Sequence, residues 1–311
     1  MDTIILGNVT LDILCSPVDD VPRRDSIAFD DAAVTPGGCG SNTAIGLAAL
    51  GVETGLMARA GDDDSADLLF RYWERVGVDT RFARRVPGEI TGVSVALVDS
   101  DHKPRFIHTT GANRALTAAD IHPQEIAATG ARHFHIAGYF VLTHLAEGLG
   151  EKLAQLRAAG IATSLDVVFT THMENPRLRT AFWDALPHLD FFFCNDYEAL
   201  RLTGEPDPRR AAAIFRERGA RRVIVKLGAE GCYALSDEFT GTVEAISVPV
   251  VDTTGAGDAF AAGFIAARTR GDDLRAACQA GNRAGARVVQ KLGAIAGWVE
   301  ARRPQKQDWQ S

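Results

Sequence analysis

The sequence predicts an α/β fold: three layers, with a mostly parallel central sheet between two layers of helices, in one domain over residues 1–311. Two observations carry this expectation. From about residue 147 onward, short apolar runs alternate with helical stretches, the pattern of a parallel sheet covered on both faces. The chain also opens on residues 3–6 (TIIL), a fully apolar run of the kind found in a strand buried on both sides. A length of 311 residues suits one large domain with a small appendage.

In chain order, residues 7–12 (GNVTLD) lack the G-x-G-x-x-G that a dinucleotide-binding turn needs after the first strand, which removes the main support for an oxidoreductase. Residues 13–35 are polar, broken by Pro17 and Pro22, and do not read as core. Residues 42–50 (NTAIGLAAL) read as a helix ending at Gly51. Asp62, Asp63 and Asp64 precede a helix at 65–76, where capping and the helix dipole explain them better than a metal does. Residues 93–98 and 105–110 read as strands joined by a turn-rich loop at 99–104.

His133 and His135 fall on one face of a strand at 132–137; no third ligand is evident, so they read as satisfied strand histidines rather than a metal pair. Next come a helix at 148–159, a strand at 161–168, a helix at 179–186 and a strand at 191–194. Helices at 196–202 and 208–218 and a strand at 222–225 follow. Residues 241–251 alternate as a strand does, and 259–267 (AFAAGFIAA) reads as a buried helix. The tail at 302–311 is polar and expected to fray. Ligands in such folds gather at the carboxyl ends of strands, and Asp12, Asn195, Lys226 and the turn at Gly255 are each expected to follow one.

Composition narrows the function. The net charge of −7 argues against general nucleic-acid binding, while leaving room for a nucleotide phosphate held by local amides. Cys15, Cys39, Cys194, Cys232 and Cys278 form no Cys-x-x-Cys pair, which suits a reducing compartment and offers no zinc framework. With no charged leader and no apolar run of membrane-spanning length, a soluble cytoplasmic protein is the expectation.

The stretch richest in chemistry is 251–260 (VDTTGAGDAF): the end of a strand, a glycine-rich turn and the first turn of a helix. Gly255 and Gly257 permit backbone shapes closed to other residues and a close ligand approach. The first amides of the helix lack internal partners and form an anion site beside the carboxylate of Asp258. A carboxylate repels a permanently bound anion. It suits a transient one, if it must take a proton from the attacking group, as in phosphoryl transfer to an alcohol. A plain N-cap role for Asp258 fits the local string equally well.

DTTGAGDAFAAGF resembles the C-terminal signature of the PfkB/ribokinase-like carbohydrate and nucleoside kinases, and residues 36–44 (PGGCGSNTA) resemble that family's glycine-pair segment, GG-x-x-x-N. Both stand in the family's order and separation, and the likeness runs from about residue 3 to 299. The resemblance implies a ribokinase-like fold with a small β-sheet lid, formed by about 13–35 and 91–111, that covers the acceptor and excludes water. It implies an ATP-dependent phosphotransferase acting on a hydroxymethyl group of a small sugar or sugar derivative. Asp258 would be the general base, with Gly255, Ala256 and Gly257 as the anion hole.

Asp12, Gly37, Gly38 and Asn42 would grip the acceptor's hydroxyls. Asn195 and Glu198 match N-x-x-E and would organise Mg²⁺ largely through water, at a spacing that also makes a capping box. Lys226, Gly228 and Gly231 match a strand and turn lying against the nucleotide, although Lys226 reads equally as a solvated strand-end lysine. Asn282 would contact the nucleotide from the helix flanking the adenine. Asp252 and Thr254, with carbonyls near Gly293 and Gly297, would hold K⁺. Lid sheets of the family often pair between subunits, so a homodimer is expected.

Two positions depart from ribokinases proper, which tend to place Lys at the position of Cys39 and Glu at that of Gly138; both disfavour ribose. Two other readings stand beside the sugar kinase. A nucleoside kinase would line a base pocket with Phe106, Tyr139 and Phe169. A non-catalytic sugar or nucleotide sensor would have lost its base or anion hole, whereas this chain keeps Asp258, Gly255 and Gly257.

Overall fold

A computed structural model describes residues 1–101 and 104–298. The tail at 302–311 and the middle of the 99–104 loop lie outside the described residues. In chain order the strands are β1 (Thr3–Gly7), β2 (Thr10–Ser16), β3 (Asp31–Gly37), β4 (Thr54–Gly61), β5 (Ala83–Val86), β6 (Gly92–Val98) and β7 (Pro104–Thr109). They continue with β8 (His133–Ala137), β9 (Ala162–Asp166), β10 (Phe191–Asn195), β11 (Val223–Lys226), β12 (Cys232–Leu235) and β13 (Thr240–Val243). The helices are α1 (Cys39–Ala49), α2 (Asp64–Arg75), α3 (Pro123–Ala128), α4 (Leu149–Ala158), α5 (Pro176–Ala185), α6 (Asp196–Thr203), α7 (Pro208–Glu217), α8 (Ala256–Thr269) and α9 (Leu274–Val288).

The large sheet has nine strands in the order β13-β12-β11-β10-β9-β8-β1-β4-β5, parallel except where β12 meets its two neighbours. Strand alternation divides the core into two. Ile4 and Leu6 of β1, with Phe192 and Cys194 of β10, pack with residues of α3 to α7. Ile5, Phe191 and Phe193 point the other way, toward α1, α2, α8 and α9. The apolar runs of the sequence are therefore central strands wetted on neither face.

A second sheet, β3-β2-β6-β7, is the small lid. It carries its own core of Leu14, Ala96 and Val98, so the 13–35 segment contributes more burial than its polar composition predicts.

The expected strand at 241–251 is reduced to β13, and residues 244–250 form no strand or helix. Among the described residues the only neighbour of β13 is the four-residue β12, so the ladder ends where its partner does. Asn282 Nδ2 then takes the Val243 and Glu244 carbonyls (2.9 Å each) that a longer ladder would have used.

The capping expectation for Asp63 holds, and the histidine pair is satisfied only in part. Asp63 caps α2, accepting from the Ala66 amide at 2.9 Å. His133 Nε2 and His135 Nδ1 both lie 2.7 Å from Ser164 Oγ, and burial holds both rings below the ordinary histidine range, His133 at about 4. One hydroxyl meets a nitrogen of each ring, while His135 Nε2 is a buried nitrogen without a hydrogen-bond partner.

Candidate active site

Two helix N-termini meet at the carboxyl end of the large sheet. The first belongs to α8. Gly255 is its N-cap at φ +75°, and a Cβ there would lie 2.4 Å from Ala294 Cβ, so only glycine fits both the shape and the space. Ala256 N–H closes the turn on the Thr253 carbonyl (3.2 Å), and the first i→i−4 bond is Ala259 N–H to Gly255 C=O (2.8 Å). The amides of Gly257 and Asp258 precede that bond and so have no intrahelical partner, which leaves them open to an anion.

The second N-terminus belongs to α1, capped by Gly38 at φ +85°. Asn42, one turn in and buried, donates from Nδ2 to Asp258 Oδ2 at 2.9 Å. Its Oδ1 is a buried acceptor without a hydrogen-bond partner. Burial pushes the Asp258 carboxyl up to about 7, assisted by the nearby Asp166 carboxylate and opposed by Asn42 and Lys226. That value suits a base working near neutral pH.

The end expected to hold the acceptor is built from β1, β2 and β3. Asp12 lies within lid strand β2 rather than in the turn after β1, and its carboxylate packs against Gly37 of β3 so closely that a Cβ there would overlap it. Thr10 Oγ1 donates to Asp12 (2.5 Å), while burial pushes the carboxyl up to about 6. Asn8, not singled out from the sequence, accepts the Cys39 amide at 3.2 Å and sits against Gly138. The two departures from the ribokinase pattern are one contact: a Cβ on Gly138 would lie 3.0 Å from Cys39 Sγ.

The end expected to hold the nucleotide is built from β10 and β11. Asn195 ends β10 and forms a reciprocal capping box with Glu198: Asn195 Oδ1 accepts from the Glu198 amide, and Glu198 Oε2 from the Asn195 amide, both at 2.7 Å. Glu198 Oε1 takes the Phe169 amide at 3.1 Å, and burial raises the carboxyl while Lys226 lowers it. Every one of these oxygens keeps a second lone pair, as a cation held through its own water requires. Among the described residues no cluster of three or more His, Cys, Asp or Glu makes an all-protein metal cage. The donor set therefore fits Mg²⁺, which keeps its waters and shares phosphate oxygens.

Lys226 ends β11 and is neither solvated nor alone. Its Nζ lies 2.8 and 2.7 Å from the two oxygens of Asp166, the buried last residue of β9. Sequence reading missed Asp166; a carboxylate ending an apolar strand (SLD) was the available signal. Gly228 and Gly231 form the β11–β12 turn, with Gly231 pressed against the Val243 carbonyl. Asn282 is buried in α9, its amide N–H groups on the Val243 and Glu244 carbonyls, and so braces the segment after β13.

Asp252 Oδ1 accepts from the Thr254 amide (2.9 Å) and hydroxyl (2.7 Å), and Oδ2 accepts from the Gly293 amide (2.8 Å). The turn at 252–254 and the loop at Gly293 are thus brought together, with an amide rather than a carbonyl of Gly293 facing Asp252. The Gly255 turn does not directly follow a strand; Val251 and Asp252 are anchored through their amides to the Val289 carbonyl (2.7 and 3.2 Å). Of the aromatic residues considered for a base pocket, Tyr139 is a core residue whose hydroxyl donates to the Leu178 carbonyl (3.1 Å). Phe169 is exposed and packs edge-on against Tyr197.

Comparison with known proteins agrees with this geometry. The description "pfkB family carbohydrate kinase" matches residues 6–301. An ATP-dependent ribose-1-phosphate kinase of Halopiger xanaduensis is 31% identical over 292 residues, covering 93% of this chain and 92% of the relative. A 2-dehydro-3-deoxygluconokinase of Bacillus subtilis is 30% identical over 277 residues, covering 84% and 82%. A crystal structure of an E. coli protein in complex with ATP and Mg²⁺ superposes with a TM-score of 0.84 at 28% identity, covering 96% of each chain.

Proposed function

The chain belongs to the pfkB family of carbohydrate kinases, ATP-dependent phosphotransferases with an alcohol group as acceptor, and from this we propose that it phosphorylates a hydroxymethyl group of a small sugar or sugar derivative, with Asp258 as the base. The observation that carries the reading is the 2.9 Å contact between Asn42 and Asp258, which joins the acceptor segment to the anion-binding turn. The unpartnered Asn42 Oδ1 supports it further, because an acceptor hydroxyl supplies the donor that this oxygen lacks.

The acceptor lies under the lid, its hydroxyls held by Asp12, Gly37, Gly38 and Asn42. The attacking hydroxyl gives its proton to Asp258, while the amides of Gly257 and Asp258 hold the charge on the phosphoryl group in transfer. Mg²⁺, when bound with ATP, neutralises the phosphates, and Asn195 and Glu198 are the residues that would hold it. Lys226, Gly228, Gly231 and Asn282 flank the nucleotide. Asp252 and Thr254 would hold K⁺ at the back of the turn. Homodimer formation through the lid is supported by Val34 and Ile107, both more than half exposed on its strands.

Two expected results follow. A base raised to about 7 must lose its proton before it can act, so kcat is expected to rise with pH through about 7 and level off above it. A flat profile from pH 5.5 to 8.5 would contradict that role. Asp12→Asn removes a charged acceptor of sugar hydroxyls; acceptor KM is expected to rise roughly 10- to 100-fold with kcat changed only a few-fold. An unchanged KM would place Asp12 outside the acceptor site.

The direct test is ADP release from Mg·ATP against pentoses, hexoses, keto-deoxy sugar acids, sugar phosphates and nucleosides. Turnover with one class identifies the acceptor. Nucleosides are the less favoured class, since the core position of Tyr139 removes one wall of the base pocket. Silence with ATP still bound shifts weight to the sensor reading.

A further inference from the structure

Asp166 and Lys226 form a buried ion pair in the middle of the site. Asp166 ends β9 and Lys226 ends β11, the strands on either side of β10, and their side chains meet across it. Both lysine–carboxylate distances are below 3 Å, with 14% and 7% of the two side chains exposed. A Cβ placed on Gly257 would lie 3.1 Å from Lys226 Nζ, so the ammonium sits directly beneath the anion-binding turn. An ammonium has three donors, and Asp166 engages two. Burying such a pair costs desolvation that its mutual attraction rarely outweighs, so stability does not explain it.

We propose that Asp166 is a positioning residue that clamps the Lys226 ammonium under Gly257, where it serves the anion arriving at the α8 amides instead of pairing with Asp258. The inference rests on the kinase reading above. Asp258 is faced by Asn42 and Cys39 from α1, by Asp166 from β9 and by Lys226 from β11. Lys226 is faced by Asp166, Glu198 and Asp258. Remove the Asp166 charge, and the ammonium's remaining anions are Glu198 and the base itself. Remove the Lys226 charge, and Asp166 is left as a bare negative neighbour of the base.

The two single variants therefore act on Asp258 with opposite sign, which a merely structural role would not do. In the pH profile of kcat, Asp166→Asn is expected to move the acid limb down by roughly one unit and Lys226→Met to move it up by a similar amount. Both are expected to lower the plateau by roughly 10- to 1000-fold, since the cation beneath the turn is displaced or lost. The double variant Asp166→Asn/Lys226→Met buries no charge at either position. It is expected to fold even if a single variant does not, with its limb near the wild-type position and its plateau still low.

Titration of the Asp258 carboxyl by ¹³C NMR reads the same opposite shifts without turnover. If no acceptor is ever phosphorylated, the kinase reading fails while the titration still decides the clamp. Asp258 shifts of the same sign in the two single variants, no shift in either, or a double variant with wild-type plateau turnover would overturn the clamp.

Discussion

Asp258→Asn is expected to lose roughly 10²–10⁴-fold in kcat, with ATP binding little changed. The substitution keeps the volume and a hydrogen-bonding partner for Asn42 Nδ2, so the junction of α1 and α8 should survive while the proton acceptor is lost. In the proposed site ATP would rest on the amides of α8 and on β10 and β11, none of which needs the charge. Phosphoryl transfer has a loose transition state, so the proton leaves late and a base of modest strength suffices. Turnover of the variant, measured beside ATP affinity by calorimetry, separates the cases. Near wild-type kcat would remove Asp258 as the base, and loss of ATP affinity in proportion to kcat would make it a structural residue.

Gly255→Ala should damage both fold and turnover. At φ +75° an alanine pays the left-handed penalty, and its Cβ would sit 2.4 Å from Ala294 Cβ and 2.8 Å from Ala294 Cα. Neither neighbour is the flexible end of a long side chain, so the turn or the loop at 293–298 must move. Together these cost roughly 2–4 kcal/mol, from strain and overpacking. Displacing the turn misaims the Gly257 and Asp258 amides, and a fall in kcat of at least about 10²-fold is expected, comparable to losing an anion-hole donor. A thermal melt and a turnover assay check this. Wild-type values in both would mean that the turn does not pack on Ala294 in solution.

The alternation of apolar runs and helices was enough to predict the sheet, because central strands buried on both faces have no polar alternative. Strands β4, β5 and β12 escaped notice for the opposite reason. β4 (TGLMARAG) sets Leu56 and Met57 among small residues and an arginine with no β-branched apolar run, and β5 and β12 are four residues each, so pairing rather than propensity makes them strands. Within the site, Asp258, Asn42, Asn195 and Glu198 were legible because each lies beside a glycine turn or at a helix start. Asp166 was not. Sixty residues separate it from Lys226, and only the sheet order sets them on either side of β10. The contact between Cys39 and Gly138 is of the same kind, since β8 and α1 become neighbours only through β1. From the sequence Lys226 reads as either reaching the phosphates or solvated; its burial against Asp166 removes the solvated reading.

The histidines bridged by Ser164 carry a consequence for handling the protein. Folded, His133 resists protonation until about pH 4, and burial holds His135 well below its ordinary range too. Unfolded, each would take up a proton near its ordinary value of 6.5. As pH falls below about 6.5 the unfolded chain therefore binds protons that the native chain refuses, and mass action draws the equilibrium toward it. One serine and two imidazoles thus give the scaffold an acid-labile contribution, lost between pH 6.5 and 4 and opposed over that range by the raised carboxyls of Asp12, Asp258 and Glu198, so replacing both histidines should make the melting temperature hold up better on acidification than that of the parent chain.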